Sequence, residues 1–75
     1  MYNILIADDH SAIRLGMKVI ILNIFPSSRI DAVADANAAI ENMKLNSYDL
    51  ILLDINMPDS DPVNVMQWIS QEQAI

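Results

Sequence analysis

The chain has 75 residues, 53% of them hydrophobic and 19% charged, which excludes a disordered composition and limits it to one domain. Ten acidic against four basic side chains give a net charge of −6, which excludes a segment that grips a nucleic-acid backbone or an anionic membrane by itself. No cysteine is present, so there is neither a disulfide nor a thiolate zinc site. No apolar run approaches the ~20 residues of a membrane span, and no basic stretch precedes the first apolar run as it does in a signal peptide. The expectation is a soluble, cytoplasmic protein.

In chain order, "YNILIAD" (2–8) reads as a strand. It is short, continuous and rich in Ile and Leu, which suits a parallel strand covered on both faces. "SAIRLGMKVIILNIFPSS" (11–28) reads as a helix. Ile13, Met17, Ile20, Ile21 and Ile24 share one stripe at the 3.6-residue period. Leu15, Val19 and Leu22 make a second apolar face, so this helix calls for cover on more than one side. Ser11 stands where an N-cap belongs, and Pro26 with two serines ends the segment.

"RIDAVADA" (29–36) alternates and predicts a more exposed strand. "NAAIENMKLNS" (37–47) predicts a shorter helix, capped by Asn37, with Ile40 and Met43 inward. "YDLILLDI" (48–55) is a second buried-looking strand. "DPVNVMQWISQEQAI" (61–75) predicts a third helix, with Asp61 as cap, Pro62 in the first turn and Val65, Met66 and Ile69 inward. Trp68 reads as a packing residue of that helix, and the five methionines as core filler.

Strands alternating with helices imply βαβ units, right-handed crossovers and a parallel α/β sheet. The C-terminal ends of parallel strands share one edge, where ligands bind between neighbouring strands. Asp8 and Asp9 close the first strand and Asp54 closes "LILLD". Adjacent like charges repel and raise each other's pKa unless a cation, a bound proton or water intervenes. If the two strands are neighbours, three carboxylates converge, and a hard divalent cation resolves their repulsion. Mg2+ suits such a set, because it takes oxygen ligands and keeps several waters. The plainer reading is that acids at strand ends sit in solvated turns or cap the next helix. His10 reads as a surface residue beside the helix cap, with a ligand or a base as the alternative.

With these residues placed, the sequence resembles the receiver domain of bacterial two-component response regulators. The resemblance is carried by "ILIADDH" (4–10), by "YDLILLDINMP" (48–58), and by the roughly 45 residues between the acidic pair and the single Asp. "ADDHSAIRLGMKVIIL" (7–22) is most similar to receivers fused to LuxR-type helix-turn-helix domains. The resemblance implies a flavodoxin-like three-layer sandwich with strand order 2-1-3-4-5. Residues 1–75 would supply its first three strands and three helices, as one incomplete receiver domain without an effector domain.

The resemblance further implies that Asp54 is the phospho-acceptor, taking its phosphoryl group from a sensor histidine kinase. Asp9 and Asp54 would ligate Mg2+ directly, Asp8 through water, and Asn56 through its main-chain carbonyl. The part would be regulatory rather than enzymatic. DNA would be bound only by an effector domain absent from this segment. Met57 and Pro58 match the loop after the acceptor, whereas Pro62 stands where receivers commonly have Gly. The family's switch Ser/Thr, its Lys on the fifth strand and its switch aromatic all fall beyond residue 75, and Lys44 is in the wrong place to substitute. A bared third-strand edge and uncovered helix faces predict self-association as a homodimer.

Other classes fit less well. An EF-hand loop starting at Asp54 would have Pro58 fifth, Asp59 rather than Gly sixth and Val65 rather than Glu twelfth. A phosphatase with an aspartyl nucleophile would carry a second acid where Asn56 stands. Gly16, the single glycine, lies mid-helix and makes no phosphate loop. The alternative kept open is an interaction module that holds the receiver fold without being phosphorylated.

Overall fold

The computed structural model describes residues 1–54 and Met57. Strand β1 (Asn3–Ala7) is followed by helix α1 (Ser11–Ile24), strand β2 (Arg29–Val33), helix α2 (Ala36–Leu45) and strand β3 (Leu50–Leu53). The strands form a parallel sheet of order β2-β1-β3, the flavodoxin-like arrangement expected from the alternation. The helix expected over 61–75 lies outside the described residues, with Trp68, Pro62 and the acceptor-loop residues Asn56 and Pro58.

β1 is the central strand, so it must be apolar on both faces, and this is why its sequence runs without alternation. Leu5 and Ile6 are fully buried and Ile4 nearly so. Successive side chains point to opposite faces. Leu5 and Ala7 pack with Ala36, Ala39 and Met43 of α2 and with Met57, while Ile4 and Ile6 pack with Ile21 of α1. Ala7, Ala36 and Ala39 have small side chains, which lets α2 lie close on the sheet. Ile30 and Val33 of β2 add partly buried side chains to the two clusters, one on each face.

The structure corrects three expectations from the sequence. The cap of α1 is His10, not Ser11, and it makes no side-chain capping bond. The chain turn ahead of this helix is instead held by Asp8, whose carboxylate accepts the His10 N–H at 2.8 Å. The cap of α2 is Asp35, not Asn37; its carboxylate accepts the Ala38 N–H at 2.7 Å. On α1, of the stripe Ile13, Met17, Ile20, Ile21 and Ile24, only Ile21 is buried and Met17 half-buried. A narrow sheet offers one helix face a place to pack. Ile13, Leu15, Val19, Ile20 and Ile24 stay exposed, consistent with a helix that calls for cover on several sides.

Ile40 and Met43 point inward as expected, and Met57 is buried while Met1 is exposed. Tyr48, just ahead of β3, packs against the α2-side cluster and reaches β2, where its hydroxyl donates to Asp31 Oδ2 at 2.6 Å. Burial and this bond push the phenol pKa up to about 12, from an ordinary value of 10.0. The folded chain thus keeps a proton that the unfolded chain releases. The resulting stabilisation is complete below pH 10 and is lost as pH rises toward about 12. Tyr48→Phe should lower stability by about 1 kcal/mol near neutral pH. Urea melts of the variant and the parent should converge in strong alkali; a gap that widens there would contradict this account.

Candidate functional site

The geometry of the site follows from strand register. β1 pairs with β3 as Ile4 with Leu50 through Ala7 with Leu53. One step further, the Asp54 N–H donates to the Ala7 carbonyl at 2.9 Å, and on the other side the Asp8 N–H donates to the Val33 carbonyl at 3.1 Å. Asp8 and Asp54 therefore leave the same edge of the sheet from neighbouring strands, and Asp9 follows Asp8. One ligand atom from each of Asp8, Asp9, His10 and Asp54 lies within 4.8 Å of the others. Three of the sequence-predicted residues are brought together; Asn56 lies outside the described residues.

His10 joins the acidic group from the surface. Its side chain is 61% exposed, as expected for a surface residue, but its Nδ1 is directed into the acidic group. That nitrogen is 2.9 Å from Asp8 Oδ1, 2.9 Å from Asp9 Oδ1 and 4.0 Å from Asp54 Oδ2. A residue that follows an acidic pair at a strand end stays close to both acids, but the rotamer sets which way its ring turns. Arg14, one turn into α1, donates Nη1–H to the Asp8 carbonyl at 2.8 Å and fixes the same turn.

Asp8 is buried, with 8% of its side chain exposed, and its ionised form is held in place by donors. The His10 backbone N–H, the imidazole and the Arg14 guanidinium lower its pKa, and burial opposes them. The hydrogen bond to Asp8 and the charges of Asp9 and Asp54 raise the pKa of His10. Lys44 pairs with Glu41 on α2, which agrees with its exclusion from the site.

An octahedral Mg2+ ion with bonds near 2.1 Å holds neighbouring ligands about 3.0 Å apart and opposed ones about 4.2 Å apart. The oxygens of Asp8, Asp9 and Asp54, gathered within 4.8 Å of one another, match that span after small side-chain movements. All three are carboxylate oxygens, the hard donors this ion prefers. The residues fit the ion.

Comparison with known proteins agrees with the fold. The response regulator receiver domain family matches residues 4–75. The glycerol metabolism activator of Pseudomonas putida is 44% identical over 59 residues, spanning 77% of this chain and 27% of that protein. A protein-glutamate methylesterase/protein-glutamine glutaminase of Cereibacter sphaeroides is 36% identical over 72 residues, which is 96% of this chain and 20% of that protein. In fold, the chain is similar to RcsB from Salmonella enterica serovar Typhimurium, solved bound to the promoter rprA in the presence of the phosphomimetic BeF3−. The TM-score is 0.77 at 22% identity, covering 97% of this chain and 38% of that one.

A parallel sheet with acids gathered at its C-terminal edge defines an α/β module with an acidic face. The chain belongs to the response regulator receiver domain family, a family of signal transduction. It spans about a quarter of the P. putida relative's length. Among the described residues, no helix is long and apolar enough to cross a membrane.

Proposed function

We propose that this chain is the phosphoryl-accepting module of a two-component phosphorelay, with Asp54 as acceptor and a sensor histidine kinase as donor. The observation that carries the reading is the convergence of Asp8, Asp9 and Asp54 at the end of two neighbouring parallel strands. In the transfer, a carboxylate oxygen of Asp54 attacks phosphorus and the bond from phosphorus to the donor's histidine nitrogen breaks. The products are an acyl phosphate and a neutral imidazole. Such transfer needs positioning and charge neutralisation more than covalent help from the protein.

Mg2+, held by Asp9 and Asp54, by Asp8 through water and by the Asn56 carbonyl, would supply that neutralisation. The chain's own part is to fix the nucleophile. The Asp54 N–H is pinned to Ala7 and the Asp8 turn is pinned by His10 and Arg14, so the carboxylates are held on strand ends rather than on a loose loop.

The output belongs to a partner domain. The P. putida relative is named an activator and RcsB was solved on a promoter, which supports transcription regulation through a fused LuxR-type DNA-binding domain. With a net charge of −6, the segment itself is not the DNA-binding part. We also assign it to the cytoplasm and expect it to pair with a second copy. Among the described residues no strand lies beside the outer edge of β3, and α1 exposes a broad apolar surface.

The test is intact-mass spectrometry after incubation with Mg2+ and acetyl phosphate, run beside Asp54→Asn. A gain of one phosphoryl group that vanishes in the variant is expected. No gain in a sample shown to be folded would assign the chain to the alternative, an interaction module that keeps the fold without being phosphorylated.

A further inference from the structure

His10 stands among the very oxygens that a cation would use. Its Nδ1 lies 2.9 Å from an oxygen of Asp8 and 2.9 Å from an oxygen of Asp9, the spacing of neighbouring ligands around an octahedral ion. Two different consequences follow for two kinds of cation. A hard ion such as Mg2+ gains little from an imidazole and needs the carboxylates that the imidazole is holding. An ion of borderline softness such as Ni2+ takes imidazole nitrogen readily. The bond to Asp8 requires an Nδ1–H; a ring that ligates an ion must present the Nδ1 lone pair and carry its proton on Nε2. The ring cannot do both at once.

We propose that His10 sets the cation preference of this site: it competes with Mg2+ for Asp8 and Asp9, and it joins Ni2+ as a nitrogen ligand. The proposal rests on the metal reading given above and adds to it a residue which that reading leaves out. The side chain is 61% exposed, so the ring can swing into solvent without unpacking any neighbour. His10 makes no side-chain capping bond to α1, so its removal leaves the helix start intact. Asp8 would still be held by the His10 main-chain N–H, which any substitution other than proline retains.

The experiment is calorimetric titration of the parent chain, His10→Ala and Asp9→Ala with MgCl2 and, separately, NiCl2. Folding of each variant is checked by circular dichroism. For His10→Ala, Mg2+ should bind about ten-fold more tightly, as a bond to a charged acceptor no longer has to be broken. Ni2+ should bind on the order of ten-fold more weakly. Asp9→Ala should weaken both ions.

A second readout uses the fact that His10 is the only histidine. Its ring proton signals are therefore assigned without further variants. On Mg2+ saturation they should move to the position of a free, solvated imidazole. An unchanged ratio of Mg2+ to Ni2+ affinity in His10→Ala overturns the proposal, and so does a ring signal unmoved by Mg2+; in both cases the acidic metal site stands. Failure of the parent chain and of His10→Ala to bind either ion overturns the proposal together with the metal reading beneath it.

Discussion

Leu5→Ala is expected to cost about 3–5 kcal/mol and to lower the urea unfolding midpoint steeply. Leu5 is fully buried in the middle of the central strand, facing α2. Its neighbours there include Ala7, Ala36 and Ala39, which are too short to close a gap, and the sheet backbone beneath is fixed by pairing on both sides. The void would stay open, which places the cost toward the upper part of the range for leucine-to-alanine changes. Stability near 0.05–0.15 kcal/mol per residue gives a chain of this length roughly 4–11 kcal/mol in total, so the loss is a large share of it.

The control is Leu45→Ala at the end of α2. Leu45 is 81% exposed, and its loss should stay within about 0.5 kcal/mol. Urea melts followed by circular dichroism separate the two. Equal midpoints for Leu5→Ala and Leu45→Ala would mean that the α2-side cluster is not the core.

The contrast between Leu5 and the α1 residues explains how much of the fold was legible in advance. The strand "NILIA" could be read directly, because a run apolar on every residue has one economical explanation, burial on both faces. The helical stripe on α1 was real as a period but poor as a guide to burial. Periodicity reports which residues share a face; it does not report how much surface is available to receive that face. Ile21 found a partner on β1, whereas Ile20 and Ile24 remain 59% and 63% exposed.

The caps were misplaced for a related reason. Ser11 and Asn37 are good capping types, but Asp35 and the Asp8 turn compete for the same helix starts, and geometry at the strand ends decides. At the site, the convergence of Asp8, Asp9 and Asp54 followed from strand order alone. The direction of His10 depended on a side-chain rotamer that no spacing rule specifies.

Asp54→Asn should produce a chain that is more stable than the parent in EDTA and yet unable to accept a phosphoryl group. Three carboxylates with oxygens within 4.8 Å of one another repel, and a pair of unit charges at that distance is worth about 1 kcal/mol in water and several at the surface of a protein. The imidazole offsets this best for Asp8 and Asp9, each 2.9 Å from Nδ1, and least for Asp54 at 4.0 Å. Removing the Asp54 charge therefore relieves its repulsion with Asp8 and Asp9. The main-chain bond from residue 54 to Ala7 survives the change.

A gain of about 1 kcal/mol in EDTA is the expected size, discounted for partial exposure of the group. Mg2+ should reverse the order, because an ion that binds only the folded chain adds RT ln(1 + [Mg2+]/Kd), and the variant has lost a ligand. Thermal melts across a Mg2+ series should therefore cross. Parallel curves would show that Asp54 is not in the cation's reach. A variant less stable than the parent in EDTA would show that the acidic pair and Asp54 are not in conflict in the ion-free fold. The crossing identifies the ion-free repulsion as the cost the fold bears for holding Asp54 beside Asp8 and Asp9.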